Sequence, residues 1–221
     1  MKPLVSVIMP VFNGIAYLEL AIQSVLQQEL ERLQFIVVDD GSTDGTAGLI
    51  AGYEPAISVI TQPNQGPPVA RNAGLDMAGG EYIGFIDADE LWTTGRLQRQ
   101  LSYLQSHSEI DILQDRMQHI RFSGSEWVPE DDPFHSLSLS TALFRRHLFD
   151  RIGVLDASML YCDDMDWFLR AQSGGATVAR QDDVGLLYRR HEGNLTNRKD
   201  LVGHYTLQAL LKHRRSREAR Q

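Results

Sequence analysis

Cysteine is almost absent from this sequence: Cys162 is the single one in 221 residues. One cysteine excludes a disulfide within the chain and favours a reducing compartment. The N-terminal apolar stretch, which Pro3 and Pro10 interrupt, is too short for a signal peptide. No window approaches the roughly 20 apolar residues that span a bilayer. We therefore expect a cytoplasmic protein.

Basic residues are outnumbered: 21 Lys and Arg against 29 Asp and Glu give a net charge of −8. A general nucleic-acid binder usually needs a basic face, so nucleic acid is not an expected partner. An anionic substrate would have to be held by local features such as a metal ion or a helix N-terminus. Hydrophobic residues make up 43% of the chain, which is enough for a sizeable core.

The first half of the chain alternates between strand and helix patterns. Short β-branched runs predict strands buried on both faces, at residues 4–11, 35–40, 56–60 and 82–86. Apolar residues at helical spacing predict the helices, near residues 18–26, 46–53, 69–77 and 97–104. This order predicts an α/β fold with right-handed crossovers and a mostly parallel sheet that carries helices on both faces.

The second half, beyond a boundary near residues 105–120, is less regular. Turn-forming residues predict a loop over 123–136, and a strand leading into a short helix follows over 137–149. A helix over 163–175 ends at glycine. Two short strands, 176–181 and 185–191, precede a basic helix that runs to the end. We expect both halves to share one core.

Polar residues recur at the predicted strand ends, where open parallel sheets bind their ligands. Asp39, in "VVDDGSTDGT", can accept hydrogen bonds from a nucleotide base or from ribose; a plain strand–turn–helix connection is the alternative. Asn13 and Asp40 share this edge. No G-x-G-x-x-G follows the first strand, so the dinucleotide-binding fingerprint is absent.

The sharpest local signal is "DADE", residues 87–90. Mg²⁺ typically binds one or two carboxylates while phosphates and water complete its shell. One of Asp87 and Asp89 can therefore reach a metal while the other holds ribose or a metal-bound water. Helix-capping acids are one alternative. Aspartyl-phosphate phosphatases also open with a similar motif, but here it follows four predicted strands rather than one.

Three further stretches carry candidate groups. Arg71, on the helix that "NQGPPVARNAGL" predicts, suits a phosphate or a base, or else lies on the surface. The acids of "DDMDW" favour a helix dipole, yet they exceed what capping requires, and one could be a general base. In "YRRHEGNLT", His191 is either structural or binds a metal or diphosphate beside Arg190.

Six strings, in this order, resemble the inverting family 2 glycosyltransferases with the GT-A (Rossmann-like) fold. They are "VSVIMPVFNG", "VVDDGSTDGT", "NQGPPVARNAG", "GEYIGFIDADELW", "DDMDWFLRA" and "RRHEGNLT". The resemblance covers almost the whole chain. It implies transfer of a sugar from a nucleotide diphosphate donor, usually a UDP-sugar, to a hydroxyl of a saccharide or lipid-linked acceptor, with Mn²⁺ or Mg²⁺ on the diphosphate. Such activity belongs to cell-surface polysaccharide or glycolipid biosynthesis.

The resemblance implies roles for the donor-side candidates, residue by residue. Val11 and Asp39 would contact the base, and Arg71 would help hold the nucleotide. Asp87 would touch ribose or a metal-bound group, and Asp89 would ligate the metal.

The resemblance also places the chemistry at the start of the 163–175 helix. Asp164 matches the acid that takes the proton from the acceptor, and His191 is a second expected metal ligand. The remaining expected substrate contacts are Asn13, Asp40, Asp163, Asp166, Trp167 and Arg190. Two departures affect the metal loop: Glu90 replaces a frequent third Asp, and Gly95 replaces a proline that often follows the tryptophan.

We expect one GT-A domain over residues 1–221. Its parts would be a nucleotide-binding half (1–110), an acceptor-side half (111–198) and a C-terminal basic helix and tail (199–221). Two other functions stay open. A nucleotidyltransferase would normally show a basic glycine-rich loop after the first strand, where this chain has "PVFNG". A non-catalytic nucleotide-sugar-binding subunit would have no need of Asp89, Asp164 and His191.

The C-terminal stretch combines leucines at helical spacing with a basic end, Lys212, Arg214, Arg215, Arg217 and Arg220. Polybasic ends near anionic lipid gain about 1 kcal/mol per basic residue. Two interpretations are open: a packed helix followed by a solvated tail, and peripheral contact with the inner face of a membrane.

Overall fold

The computed structural model describes residues 2–218, apart from the side chain of Arg217. The strands are β1 (Val5–Val11), β2 (Leu33–Asp39), β3 (Ser58–Thr61), β4 (Tyr82–Phe85), β5 (Glu90–Trp92), β6 (Ile112–Phe122), β7 (Trp127–Pro129), β8 (Ala142–Arg145) and β9 (Val178–Arg190). The helices are α1 (Leu18–Leu26), α2 (Thr46–Ala51), α3 (Pro67–Met77), α4 (Arg96–Ser106), α5 (His147–Ile152), α6 (Asp163–Ser173) and α7 (Lys199–Glu218).

The strands within residues 2–218 form one nine-stranded sheet in the order β3-β2-β1-β4-β8-β6-β9-β5, with β7 paired to β6. The strands β3, β2, β1 and β4 are parallel, as the βαβ pattern predicts. The strand β8 then pairs antiparallel with both β4 and β6, so it joins the two halves of the chain into one sheet. The expected α/β class is confirmed.

The core consists of two hydrophobic clusters that the alternation along β1 separates. Val7 and Met9 belong to one cluster and Ile8 to the other, because successive strand side chains point to opposite faces. The first cluster also contains Leu186, and the second contains Trp167. Both faces of the sheet are therefore covered by residues from both halves of the chain.

The second half differs from the predicted elements in its strands. The long strand β6 was not expected, because buried polar residues such as Asp115 interrupt its apolar pattern; this carboxylate accepts from Arg99 Nη2 at 2.8 Å. The strand β9 is continuous where two strands were predicted. A Cβ at Gly185, where the second strand was predicted to begin, would lie 2.3 Å from Asp115 Oδ2. Here glycine permits a close approach within a strand.

Candidate active site

The carboxyl ends of β1 and β2 form a hydrogen-bonded pair of loops. Asn13 Oδ1 accepts from the amide of Thr43 at 2.7 Å, and the amide of Asn13 donates to Ser42 Oγ at 2.9 Å. Asp39 Oδ1 accepts from the amide of Ser42 at 3.0 Å. Val11 and Asp39 are buried where β1 and β2 lie side by side. The expected base-binding residues are therefore neighbours at one edge of the sheet.

Asp40 holds the loop that leads into α3. Its Oδ1 accepts from Gln62 Nε2 at 2.7 Å and from the amide of Gln65 at 3.0 Å, and its Oδ2 accepts from the amide of Gly66 at 2.8 Å. The structure thus gives this buried carboxylate a structural role, and its expected substrate contact stays a prediction. It places the first turn of α3, and with it Arg71.

Arg71 bridges two carboxylates from distant parts of the chain. Its Nη1 lies 2.7 Å from Asp163 Oδ2 and its Nη2 lies 2.5 Å from Asp87 Oδ1. Burial lowers the pKa of Arg71, but Asp163 and Asp87 outweigh it, so that the pKa lies above its ordinary value. Within residues 2–218 its buried Nε has no hydrogen-bond partner. The Nε–H therefore remains a donor from which a ligand oxygen could accept a hydrogen bond.

Asp164 lies next to this bridge, in the first turn of α6. Its Oδ1 accepts from the amide of Met165 at 2.7 Å. Burial and the neighbouring charge of Asp163 raise the pKa of Asp164 to about 7. A carboxylate with a pKa near neutrality suits a general base, because it is a stronger base than an ordinary aspartate and is still about half ionised at pH 7.

Asp89 and His191 meet across the end of β9. His191 Nε2 lies 3.1 Å from Asp89 Oδ2, and Asn194 Nδ2 donates to the same oxygen at 3.1 Å. The amide of Gly193 donates to His191 Nδ1 at 3.2 Å. The ring of His191 stacks on Tyr17, with centroids 4.1 Å apart.

This donor set fits a divalent metal only when a ligand completes it. In residues 2–218 no group of three or more His, Cys, Asp or Glu side chains could hold a metal ion. One carboxylate and one imidazole resemble the sparse protein shell of ions that share their coordination with phosphate and water. The residues present thus fit Mn²⁺ or Mg²⁺ carried by a diphosphate.

Arg189 and Glu90 are functional candidates that the sequence reasoning missed. Arg189 is 1% exposed, and its Nε donates to the carbonyl of Asp89 at 2.7 Å. Glu90 Oε2 accepts from the amide of Asp87 at 3.1 Å, and burial raises the pKa of Glu90 well above its ordinary value. Arg190, which was expected to bind substrate, is exposed and lies 3.3 Å from Glu130. The alternation of strand side chains, which turns Arg189 inward, was the available signal.

Two members of "DDMDW" point into the protein interior. Asp166 is 2% exposed and contacts Arg170 Nε at 2.9 Å and Lys212 Nζ at 2.6 Å, so it fastens α7 to α6. Trp167 is fully buried, and its Nε1 donates to the carbonyl of Gly153 at 2.9 Å. The structure gives both side chains structural contacts, and the substrate contacts expected of them stay predictions.

The site as a whole is an acidic edge beside a buried guanidinium. The loops after β1 and β2, the helix α3, the turn 87–90, the start of α6 and the end of β9 all contribute to it. This is the crevice at strand carboxyl ends where open α/β sheets bind nucleotides.

Comparison with known proteins defines the class. The sequence profile described as "Glycosyl transferase family 2" matches residues 6–164. An uncharacterized glycosyltransferase of Rickettsia typhi is 30% identical over 220 residues, covering 89% of this chain and 67% of the relative. The chain therefore belongs to glycosyl transferase family 2. The family that the sequence resembles is confirmed.

A second relative, the putative teichuronic acid biosynthesis glycosyltransferase TuaG of Bacillus subtilis, is 40% identical over 111 residues. That match covers 48% of this chain and 44% of TuaG. The chain thus spans less than half of this relative's length and about two thirds of the Rickettsia protein's.

Solved structures confirm the fold. S. aureus TarS in complex with UDP-GlcNAc matches with a TM-score of 0.75 and 23% identity, over 90% of this chain and 61% of that one. The mannosyltransferase PcManGT from Pyrobaculum calidifontis, in complex with GDP-Man and Mn²⁺, matches with a TM-score of 0.76 and 21% identity. That match covers 97% of this chain and 65% of PcManGT. The GT-A fold expected from the sequence is confirmed.

The structural role of Asp166 is testable by Asp166→Asn. The amide removes the anionic partner of Arg170 and one of the two partners of Lys212, which keeps Asp156, so we expect a loss of about 1–3 kcal/mol in the free energy of unfolding. Nucleotide binding should not change. Urea unfolding and calorimetry measure the two quantities. Asp182→Asn, at an exposed ion pair with Arg116, is the control and should cost much less. Weakened nucleotide binding at unchanged stability would show instead that Asp166 contacts the substrate.

Proposed function

We propose that this chain is an inverting, metal-dependent glycosyltransferase that moves a sugar from a nucleoside diphosphate donor, expected to be a UDP-sugar, to an acceptor hydroxyl. The observation that carries the proposal is the Arg71 bridge. The guanidinium of Arg71 contacts both Asp87, in the acidic turn 87–90, and Asp163, which precedes the candidate base Asp164. Donor phosphate and acceptor hydroxyl would meet at this point.

The donor would bind to the half formed by residues 1–110. Asp39 and Val11 would contact the base at the ends of β1 and β2, and the loops that Asn13 ties together would border it. The Nε–H of Arg71, which has no partner among the described residues, would donate a hydrogen bond to an oxygen of the nucleotide-sugar. The nucleotide-sugar complexes of TarS and PcManGT support a donor of this class.

A divalent ion, Mn²⁺ or Mg²⁺, would be held by Asp89 and His191. When bound there, it would act as a Lewis acid that stabilises the charge on the leaving diphosphate. Asn194 keeps Asp89 oriented, and Tyr17 keeps the imidazole ring of His191 in place. The Mn²⁺ in the PcManGT complex supports this cofactor.

Asp164 would remove the acceptor proton as the hydroxyl attacks the anomeric carbon from the face opposite the leaving group. A single displacement inverts the anomeric centre. A positioned general base typically contributes ~10²–10⁴-fold to the rate. The acceptor would lie on the half formed by residues 111–198. TuaG, named for teichuronic acid biosynthesis, supports a role in cell-surface polysaccharide or glycolipid synthesis.

Nucleotide binding should require the metal. UDP is expected to bind much more weakly in EDTA, because its diphosphate would otherwise face Asp87 and Asp89 directly. Conversely, Mn²⁺ without nucleotide should bind weakly, since the protein supplies two ligands. Titration calorimetry of UDP and of GDP with and without Mn²⁺ measures both effects. Equal nucleotide affinity in EDTA would contradict the assignment of Asp89 as a ligand.

Asp164→Asn should abolish turnover while sparing donor binding, because the amide keeps the shape of the side chain but cannot take the proton. We expect a ~10²–10⁴-fold loss in UDP release from UDP-sugars. Asp150→Asn, on the exposed side of α5, is the matched control and should keep full activity.

The pH profile of the wild type gives a second readout for this residue. Because the pKa of Asp164 is raised to about 7, the base is protonated and inactive below that pH. The value of kcat/KM should therefore fall tenfold per pH unit below pH 7.

Retention of a tenth or more of the activity in Asp164→Asn would assign the base to another group.

The helix α7 supports a further proposal, peripheral contact with the inner face of a membrane. Ala209 is buried and Lys212 lies 2.5 Å from Asp156, so one side of α7 packs on the domain. Its other side exposes Leu207, Leu210 and Leu211 beside Arg214 and Arg215. Arg220 and the side chain of Arg217 lie outside the described residues. No helix within residues 2–218 is long and apolar enough to cross a bilayer.

Flotation with anionic vesicles at low salt tests this contact. The wild type should float with anionic but not with neutral vesicles. Replacing Arg214 and Arg215 by Gln should weaken binding, at about 1 kcal/mol per residue. Arg116→Gln with Arg180→Gln, an equal change of charge elsewhere on the surface, is the control. Equal flotation of both double variants would leave α7 as solvated surface.

A further inference from the structure

The guanidinium of Arg189, in the last residues of β9, gathers the backbone of the acidic turn. Its Nε donates to the carbonyl of Asp89 at 2.7 Å. Its Nη2 donates to the carbonyls of Tyr17, Ala88 and Glu90 at 2.9, 3.3 and 3.4 Å. Three consecutive carbonyls of the turn and one from the start of α1 therefore converge on one buried cation.

The same stretch of chain contacts the turn a second time. Arg189 and His191 are two residues apart and face the same side, because extended backbone alternates with a period of two. Arg189 binds the backbone of the turn, and His191 lies against the Asp89 carboxylate at 3.1 Å. Tyr17 joins the two: its ring stacks on His191 at 4.1 Å, and the guanidinium of Arg189 lies 5.2 Å from its centroid.

We propose that Arg189 is the positioning residue of the metal site: by binding the carbonyls of residues 88–90 and of Tyr17, it holds the Asp89 carboxylate and the His191 imidazole at the separation that a divalent ion requires. The inference rests on the proposed metal–diphosphate chemistry.

Both charge and shape explain why arginine occupies this position. Asp87, Asp89 and Glu90 place three carboxylates within four residues, and a buried cation behind them offsets their repulsion. Carbonyls that point inward to Arg189 leave the Asp89 side chain free to point toward His191. A lysine would keep the charge, but its single ammonium lacks the rigid fork that spans two backbone segments.

Arg145 provides a matched comparison at a place remote from the site. Its Nε donates to the carbonyl of Ile110 at 2.8 Å, and its Nη2 donates to those of Leu104 and His107 at 2.5 and 3.2 Å. Its guanidinium also lies 5.5 Å from the centroid of the Tyr82 ring. Arg145 thus makes the same kinds of contact as Arg189 without touching the acidic turn. Loss of either fork should destabilise the fold, but only one should affect metal binding.

The experiment compares Arg189→Lys with Arg145→Lys in the full chain. Mn²⁺ binding is followed by electron paramagnetic resonance at saturating UDP, or GDP if the wild type binds it better, and thermal unfolding is recorded for each protein. Groups that orient metal ligands typically contribute 10–100-fold to metal affinity. We expect Arg189→Lys to lose roughly this factor in Mn²⁺ affinity. Arg145→Lys should lower the melting temperature and keep wild-type Mn²⁺ affinity.

Each outcome decides between the possibilities. Wild-type binding of Mn²⁺ with nucleotide, together with equal affinity in Arg189→Lys, would overturn the positioning role and leave the proposed function intact. An equal loss of Mn²⁺ affinity in both variants would reduce Arg189 to a general structural contact, which also overturns it. No nucleotide-dependent Mn²⁺ binding by the wild type would overturn the metal assignment itself, and this inference with it.

Discussion

The ion-paired bridge of Arg71 between Asp87 and Asp163 is the interaction on which the site depends. It crosses from the metal-side turn after β4 to the first turn of α6, two segments separated by 76 residues of sequence and by most of the second half of the fold. Buried carboxylates without a partner would protonate or separate. The guanidinium holds both carboxylates close together, and in the proposed function the donor phosphate and the acceptor hydroxyl would share the crevice beside them.

Two further buried, charged side chains hold the backbone segments around this bridge in place. Asp40 accepts three hydrogen bonds from the chain before α3 and so places Arg71, while Arg189 takes the carbonyls of the acidic turn. Neither side chain needs to touch a substrate. Charged groups buried in this way are strongly unfavourable unless their hydrogen bonds are satisfied, which explains why each is paired with several backbone groups rather than with one.

The sequence predicted the first half of the fold well because its parallel strands are continuous apolar runs and its helices are amphipathic. The second half defeated the same reasoning where buried polar residues replace that pattern, as at Asp115 in β6. At the site, proximity in sequence misled. Asp166 and Trp167 follow Asp164 within three residues, but a helix turns about 100° per residue, so they fall on the buried face that Asp163 shares, whereas Asp164 is partly exposed. Arg190 was predicted in place of Arg189 for a related reason: a sequence motif does not show to which face of the sheet each side chain points.

The acids of the site divide their tasks according to environment rather than residue type. Asp87 is held by Arg71, Asp89 by His191 and Asn194, and Glu90 turns back to the amide of Asp87. Asp164 has a charged neighbour, Asp163, that is itself held by a cation; burial and that charge raise the pKa of Asp164 to about 7. Acid and base roles are separated where environments push pKa values apart. A fold that crowds carboxylates at one edge can therefore assign one to the metal and another to the proton, provided that buried cations such as Arg71 and Arg189 keep them in fixed and different surroundings.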